Sequence, residues 1–225
     1  MTFRVSGESN MALTLYMHPL SSYCHKVLIA LYENATPFTA HSVNLGDATE
    51  REAFRKLWPI GKFPVLRDTV RDRTVPESTT IIEYLQRHYP GPTKLLPEDP
   101  ERAAEVRSLD RFYDLYIHTP MQTVVGDRIR PADKRDPFGV EQARDRLRTA
   151  LRMVEREMAD AAWAVGGSFS MADCSASPAL FYANKVMPLA EEFPVAHAYL
   201  QRLTKRPSYA RALVEAEPYM SMFPA

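Results

Sequence analysis

Leu13-Thr-Leu-Tyr-Met-His-Pro-Leu-Ser-Ser-Tyr-Cys-His-Lys-Val-Leu-Ile-Ala-Leu31 reads as a β-strand, a tight loop with two serines and a cysteine, and an amphipathic helix. That order puts hydroxyls and a thiol at a helix N-terminus, where unpaired backbone N–H groups and the helix dipole favour negative charge. A thiolate or a carboxylate suits such a site. The plain alternative is that Ser21 or Ser22 only caps the helix.

Working outward, residues before about 90 alternate strand and helix. Leu13–Met17 is β-like, Lys26–Tyr32 continues the first helix, and Phe38–Asn44 gives a second strand of mixed periodicity. Asp47-Ala-Thr-Glu50 fits a capping box opening a short helix with Phe54, Leu57 and Trp58 on one face. Pro64–Arg67 and Thr74–Pro76 are two more strands, and a helix from near Ser78 lines up Ile81, Ile82 and Leu85. The order predicts a small α/β domain with a mixed sheet. Residues 90–100 contain four prolines and one glycine, a run that breaks helix and reads as a linker. Beyond it the pattern is helical, over Ala103–Val125 and Val140–Ala164, where the charges of the second stretch form a solvated face. The predicted division is 11–90, a linker at 91–101, and a helical domain over 102–225.

Composition narrows the partners. The 225 residues carry 28 Lys plus Arg and 28 Asp plus Glu, a balance that argues against a dedicated nucleic-acid binder. Cys24 and Cys174 stand 150 positions apart with no metal-type spacing, so neither a metal nor a disulfide framework is expected. Residues 1–10 are polar, without the apolar core of a secretory signal, and Met11 is a plausible alternative start. No stretch reaches the about 18 apolar residues of a membrane helix. A cytoplasmic location with reduced thiols is the expectation.

Three motifs carry chemistry. Ser21-Ser22-Tyr23-Cys24 has the spacing of a Cys-x-x-Cys redox motif with serine leading. The first position faces solvent at the helix start, and the fourth points into the domain, so Cys24 is expected to be buried rather than reactive. In Trp58-Pro-Ile-Gly-Lys-Phe-Pro-Val-Leu66, a proline opening a strand makes Phe63–Pro64 a candidate cis bond, which would turn the Phe63 N–H and C=O outward to pair with an extended peptide. In Val75-Pro-Glu-Ser-Thr-Thr-Ile-Ile-Glu-Tyr-Leu85, Ser78 is a natural N-cap with Glu77 just ahead of it. A ligand with an ammonium and a carboxylate would engage Glu77 with the first, and Ser78 with the helix N-terminus for the second.

These elements, with the capping-box sequence Ser170-Met-Ala-Asp173, resemble the glutathione S-transferase superfamily from about Leu13 to the C-terminal helices. The serine loop is most similar to the serine-type (zeta- and theta-like) classes, as in a bacterial member. The resemblance implies a thioredoxin-like α/β domain with a mixed four-stranded sheet, followed by an all-α domain that supplies an apolar second pocket. It implies glutathione as co-substrate, no metal, and a small hydrophobic electrophile as the partner attacked. It also implies a homodimer, with no role for nucleic acid or membrane.

By the same resemblance, Ser21 or Ser22 is catalytic, and Lys62, Phe63, Pro64, Glu77 and Ser78 hold glutathione. Tyr113, Tyr116, His118 and Met121 are candidates for the second pocket, and His18 and His118 for acid–base groups. The tyrosine-type position falls on Met17, with Tyr16 turned to the opposite strand face. The alternatives are a thiol-disulfide reductase using Cys24, a cis–trans isomerase, and a noncatalytic glutathione-binding protein. The isomerase pattern is incomplete, because Tyr23 stands where a cysteine would complete it.

Overall fold

The computed structural model describes residues 12–224, so the expectations for residues 1–11 lie outside the described residues. Strands β1 (Leu13–Met17), β2 (Thr39–Ser42), β3 (Val65–Asp68) and β4 (Arg73–Pro76) form one sheet in the order β2-β1-β3-β4. β1 runs parallel to β2, while β1–β3 and β3–β4 are antiparallel, which makes the sheet mixed as the sequence predicts.

The alternation in β1 splits the packing. Leu13, Leu15 and Met17 enter the main core with α1 (Ser22–Glu33) and α3 (Ser78–His88). Tyr16 turns to the other face and joins Val43, Phe54 and Val65 beneath α2 (Ala48–Leu57). The mixed periodicity of the second strand has a physical cause: β2 is an edge strand whose four residues are all exposed.

The helical half comprises α4 (Pro100–Phe112), a π-helical turn (Tyr113–His118), α5 (Thr119–Arg128), α6 (Pro137–Glu157), α7 (Met171–Val186), α8 (Pro194–Thr204) and α9 (Pro207–Ala216). A short 3-10 segment follows at Glu217–Met222. Proline lies in the first turn of α4, α5, α6, α8 and α9, where its missing N–H would have had no helical partner. The Ser170–Asp173 capping box is formed. Asp173 accepts from Ser170 N at 2.8 Å, Ala164 N at 2.8 Å and Tyr199 Oη at 2.6 Å, tying the start of α7 to its neighbours.

The connection into the helices is pinned rather than loose. Asn34 at the end of α1 exchanges two hydrogen bonds with the Thr93 backbone, and Gln86 does the same with Leu96. Gly91 runs so close that a Cβ there would sit 2.4 Å from Asn34 Cβ, a clash no larger residue escapes.

α1 is buried on nearly every side because it lies between the sheet and the helical domain. Its apolar side chains face the sheet, and a polar stripe faces the helices. At the centre of that stripe the Lys26 ammonium is 1% exposed and sits 2.6 Å from Asp110 Oδ1 and 2.9 Å from Asp114 Oδ2. It also donates to Thr79 Oγ1 at 2.9 Å, and Thr79 in turn donates to Asp110 at 2.8 Å. Near the end of α1, Glu33 accepts two bonds of 2.6 Å from the Arg206 guanidinium.

Removing one partner of a buried ion pair leaves the other charge uncompensated, at a cost of about 3–5 kcal/mol. Lys26→Met leaves Asp110 and Asp114 together without a cation between them. The expected loss is of that size, read as a lower denaturation midpoint in urea with an unchanged slope.

Candidate active site

Two cavities meet where α1 begins. A polar one of about 310 Å³ is lined by Tyr23, Lys62, Phe63, Pro64, Glu77 and Ser78 from the α/β domain, and by Arg111, Asp114 and Gln122 from the helices. An apolar one of about 420 Å³ is lined by Leu20, Ser21, Ser22, Met121, Val125, Tyr182, Met222 and Phe223. Gln122 borders both, so they adjoin. All seven sequence-nominated residues are therefore brought to one place: the two serines line the apolar side, and Lys62, Phe63, Pro64, Glu77 and Ser78 line the polar side.

Ser21 is the N-cap of α1, its Oγ accepting from Cys24 N at 3.4 Å. Ser22 is the first residue of α1, and its Oγ lies 2.8 Å from His118 Nε2. Both hydroxyls thus have a protein nitrogen at one side and the pocket at the other. Cys24 points inward and is fully buried, and burial, followed by weaker opposing hydrogen bonds, pushes its thiol up to about 12. His118 is held down to about 4, first by burial, with Asp114 pulling it up and Lys26 pulling it down. His25 is likewise lowered to about 4 by burial, its Nε2 at 2.5 Å from Pro19 O.

At α3 the structure corrects one expectation. Ser78 is not the N-cap; Glu77 takes that position with φ 67° and makes no capping bond with its side chain. The Ile81 N–H bonds to Glu77 O, so the helix begins at Ser78. The cause is the backbone: at positive φ the Glu77 carboxylate does not fold back over the first turn. The first N–H groups of α3 are left without a side-chain cap beside the polar cavity, and a non-glycine residue there carries about 1–3 kcal/mol of backbone strain. Phe63–Pro64 is cis, as the sequence motif suggests.

The helical candidates divide. Met121 lines the apolar pocket and His118 reaches Ser22, but Tyr113 is buried in the core and Tyr116 faces away, 58% exposed in a separate groove. The π-helical turn explains both the misses and the unexpected neighbours. Its extra residue per turn breaks the 3.6-residue phase on which the sequence reading rests, and such turns often mark functional positions. Tyr113 and Ile117 go to the core, while Asp114 and His118 are delivered to α1. Arg111 and Asp114 in the polar cavity had no sequence signal beyond helix charge. His18 stacks on Phe63 with ring centroids 6.1 Å apart and meets Tyr219 edge-on at 5.4 Å, and burial lowers its pKa.

Comparison with known proteins agrees with this architecture. Residues 15–93 match the family model described as glutathione S-transferase, N-terminal domain, and residues 137–202 match glutathione S-transferase, C-terminal domain. A maleylacetoacetate isomerase of Aspergillus fumigatus is 32% identical over 219 residues, covering 92% of each chain. A glutathione S-transferase of Pseudomonas putida is 28% identical, covering 94% of this chain and 96% of its own. A glutathione S-transferase of Methylobacterium radiotolerans, solved in complex with glutathione sulfonate, superposes with a TM-score of 0.79 at 26% identity, over 89% of this chain and 93% of its own. A thioredoxin-like domain joined to a helical domain, with serines at the start of the first helix, defines the class. The chain belongs to the glutathione S-transferase superfamily.

Both cysteines are free and buried, and the thiolate is the form that reacts. Native protein at pH 8 is expected to leave Cys24 and Cys174 unmodified by a chromogenic disulfide reagent, and the same titration in denaturant to recover both. Rapid native reaction at Cys24 would overturn its burial as the reason it is inert.

Proposed function

We propose that this protein is a glutathione-dependent transferase that stabilises the glutathione thiolate for attack on a small, apolar electrophile. The observation that carries this reading is the meeting of the polar and apolar cavities at the two serines opening α1. Glutathione occupies the polar side. Its ammonium pairs with Glu77, and its carboxylate lies over the uncapped start of α3 at Ser78. Lys62 and Arg111 add cations to the same cavity. The backbone of Phe63 has no hydrogen-bond partner among the described residues and pairs with the ligand's extended chain beside Pro64.

The sulfur then lies at the start of α1. A free thiol of this kind has a pKa of about 8.5, and each unit of depression corresponds to about 1.4 kcal/mol of preference for the thiolate. Hydroxyl donors and the α1 N-terminus supply that preference without a base. The thiolate attacks an electrophile held by Leu20, Met121, Tyr182 and Phe223, gaining orientation and effective concentration.

The Aspergillus relative's name keeps an isomerase reading in view, with glutathione adding and leaving again at the same sulfur site. Two features favour the transferase: Tyr23 stands in the place of a cysteine, and no charged residue lines the apolar pocket among the described residues. The buried Cys24 weighs against disulfide exchange. A cytoplasmic location accords with the two unpaired cysteines.

Glu77→Gln and Ser78→Ala are each expected to weaken glutathione binding by about 10–100-fold in calorimetry, the loss typical of a charge-assisted hydrogen bond. Glu77→Gly removes the anchor and also the strain of positive φ, so it should bind weakly yet melt no lower than the parent. Unchanged affinity in all three would sink the anchor.

A groove of about 870 Å³ between the α4–α5 arm and α6 carries Phe112, exposed Leu115 and Tyr116, and Met153. A second copy of this chain is proposed to cover it, giving a homodimer. Light scattering at micromolar concentration should report a dimer, and Tyr116→Asp should shift it to monomer. A parent protein that is monomeric throughout would refute this.

A further inference from the structure

We propose that Ser21 and Ser22 together form a two-donor cradle for the sulfur, in which His118 is the positioning residue that makes Ser22 the second donor. The proposal rests on the glutathione reading above and adds to it the part played by the helical domain.

The geometry begins with what each hydroxyl already does. A serine hydroxyl has one proton to give and two lone pairs with which to accept. The Ser21 oxygen accepts from the Cys24 backbone N–H, so its proton is free for another partner. Ser22 depends on His118, whose recorded hydrogen bond is the 2.8 Å contact between Nε2 and Ser22 Oγ. A neutral imidazole carries one proton, on either nitrogen. On Nε2 it makes that bond; on Nδ1 it leaves a buried N–H without a partner, the costlier kind of orphan. The proton therefore belongs on Nε2, with His118 donating and Ser22 accepting. Ser22, like Ser21, then has its own proton to offer, and both residues line the same pocket.

The surroundings keep His118 in this state. It is 2% exposed. The groups that face it are Tyr23, whose ring centroid is 4.4 Å away, and Lys26 and Asp114, which are paired with each other at 2.9 Å and pull its charge in opposite directions. A hydroxyl that accepts one hydrogen bond becomes a better donor in the next, so the chain His118 Nε2–H to Ser22 O–H to sulfur is stronger than an isolated serine. His118 serves as a fixed, neutral donor and takes no proton from the thiol. The sulfur is thus held by two hydroxyls, one polarised by the first turn of α1 and the other by the π-helical turn of the opposite domain.

The test is the titration of protein-bound glutathione, followed by thiolate absorbance, with calorimetry reporting glutathione binding for every variant. Ser21→Ala and Ser22→Ala should each raise the bound thiol's pKa by about one unit. His118→Phe should raise it by about half a unit, since a weakened donor remains. His118→Gln, which restores an amide donor at the same reach, should titrate close to the parent. In the Ser22→Ala background, His118→Phe should add nothing. If the aromatic variant does not fold, His118→Met, unbranched and without a donor, takes its place. A His118 variant that binds glutathione and titrates like the parent, or one that shifts the thiol equally without Ser22, would overturn the positioning role. A parent protein that binds no glutathione would instead overturn the functional reading beneath it.

Discussion

Lys26 is a cation buried between two carboxylates of the opposite domain, and much else in the molecule depends on that placement. It lies one helical turn beyond Ser22 on α1, so the residue that locks the helix to Asp110 and Asp114 also fixes where the serines stand. Thr79, bonded to the same ammonium, is the neighbour of Ser78 at the start of α3. One charge therefore ties together the start of α1, the start of α3 and the π-helical turn. Buried ion pairs are weak evidence for stability in themselves, because desolvation opposes them. Their use here is registration. A shift of α1 against the helices would strand the ammonium, and the apposition of the two cavities is held by that constraint.

The legible part of the sequence is the part governed by local rules. The Ser21 loop, the Phe63–Pro64 pair and the Ser170–Asp173 box each depend on a few neighbouring residues, and each has the local geometry expected of it. The α/β order followed from periodicity, apart from β2, whose edge position removes the alternation that would have marked it. What sequence could not give are the consequences of a phase change. Across Tyr113–His118 a 3.6-residue count puts Tyr113 and Tyr116 toward the site, whereas the π-helical turn sends one to the core and the other to a solvent groove. Glu77 failed for a related reason. Its positive φ is a property of the whole β4–α3 junction, and nothing in the residue type announces it.

Burial decides which of the site's nucleophilic and basic groups are active. Cys24 occupies a redox-motif position, yet it faces inward where a thiolate would be unsolvated, and its pKa rises accordingly. His25 and His118 are pushed the other way by the same desolvation, which keeps both neutral at physiological pH. Ser21 and Ser22 have no charge to lose and remain useful as donors. The surroundings of the α1 N-terminus thus exclude a protein thiolate and an imidazolium from the positions nearest the sulfur. They leave hydroxyls and backbone dipoles, groups suited to stabilising an anion supplied by the ligand.

The same logic accounts for the strain at Glu77. A helix start is normally satisfied by its own N-cap side chain, and α2, α4 and α6 each use an aspartate for this. α3 has a carboxylate in the equivalent position and does not use it, because positive φ carries the side chain away from the first turn. The result is an open set of N–H donors next to a free carboxylate, two opposite polarities side by side on one cavity wall. An ordinary cap would cancel both. Held apart by the backbone, they are complementary to a zwitterion, and the local destabilisation persists because Ser78 is buried and Thr79 is bonded into the Lys26 network behind it.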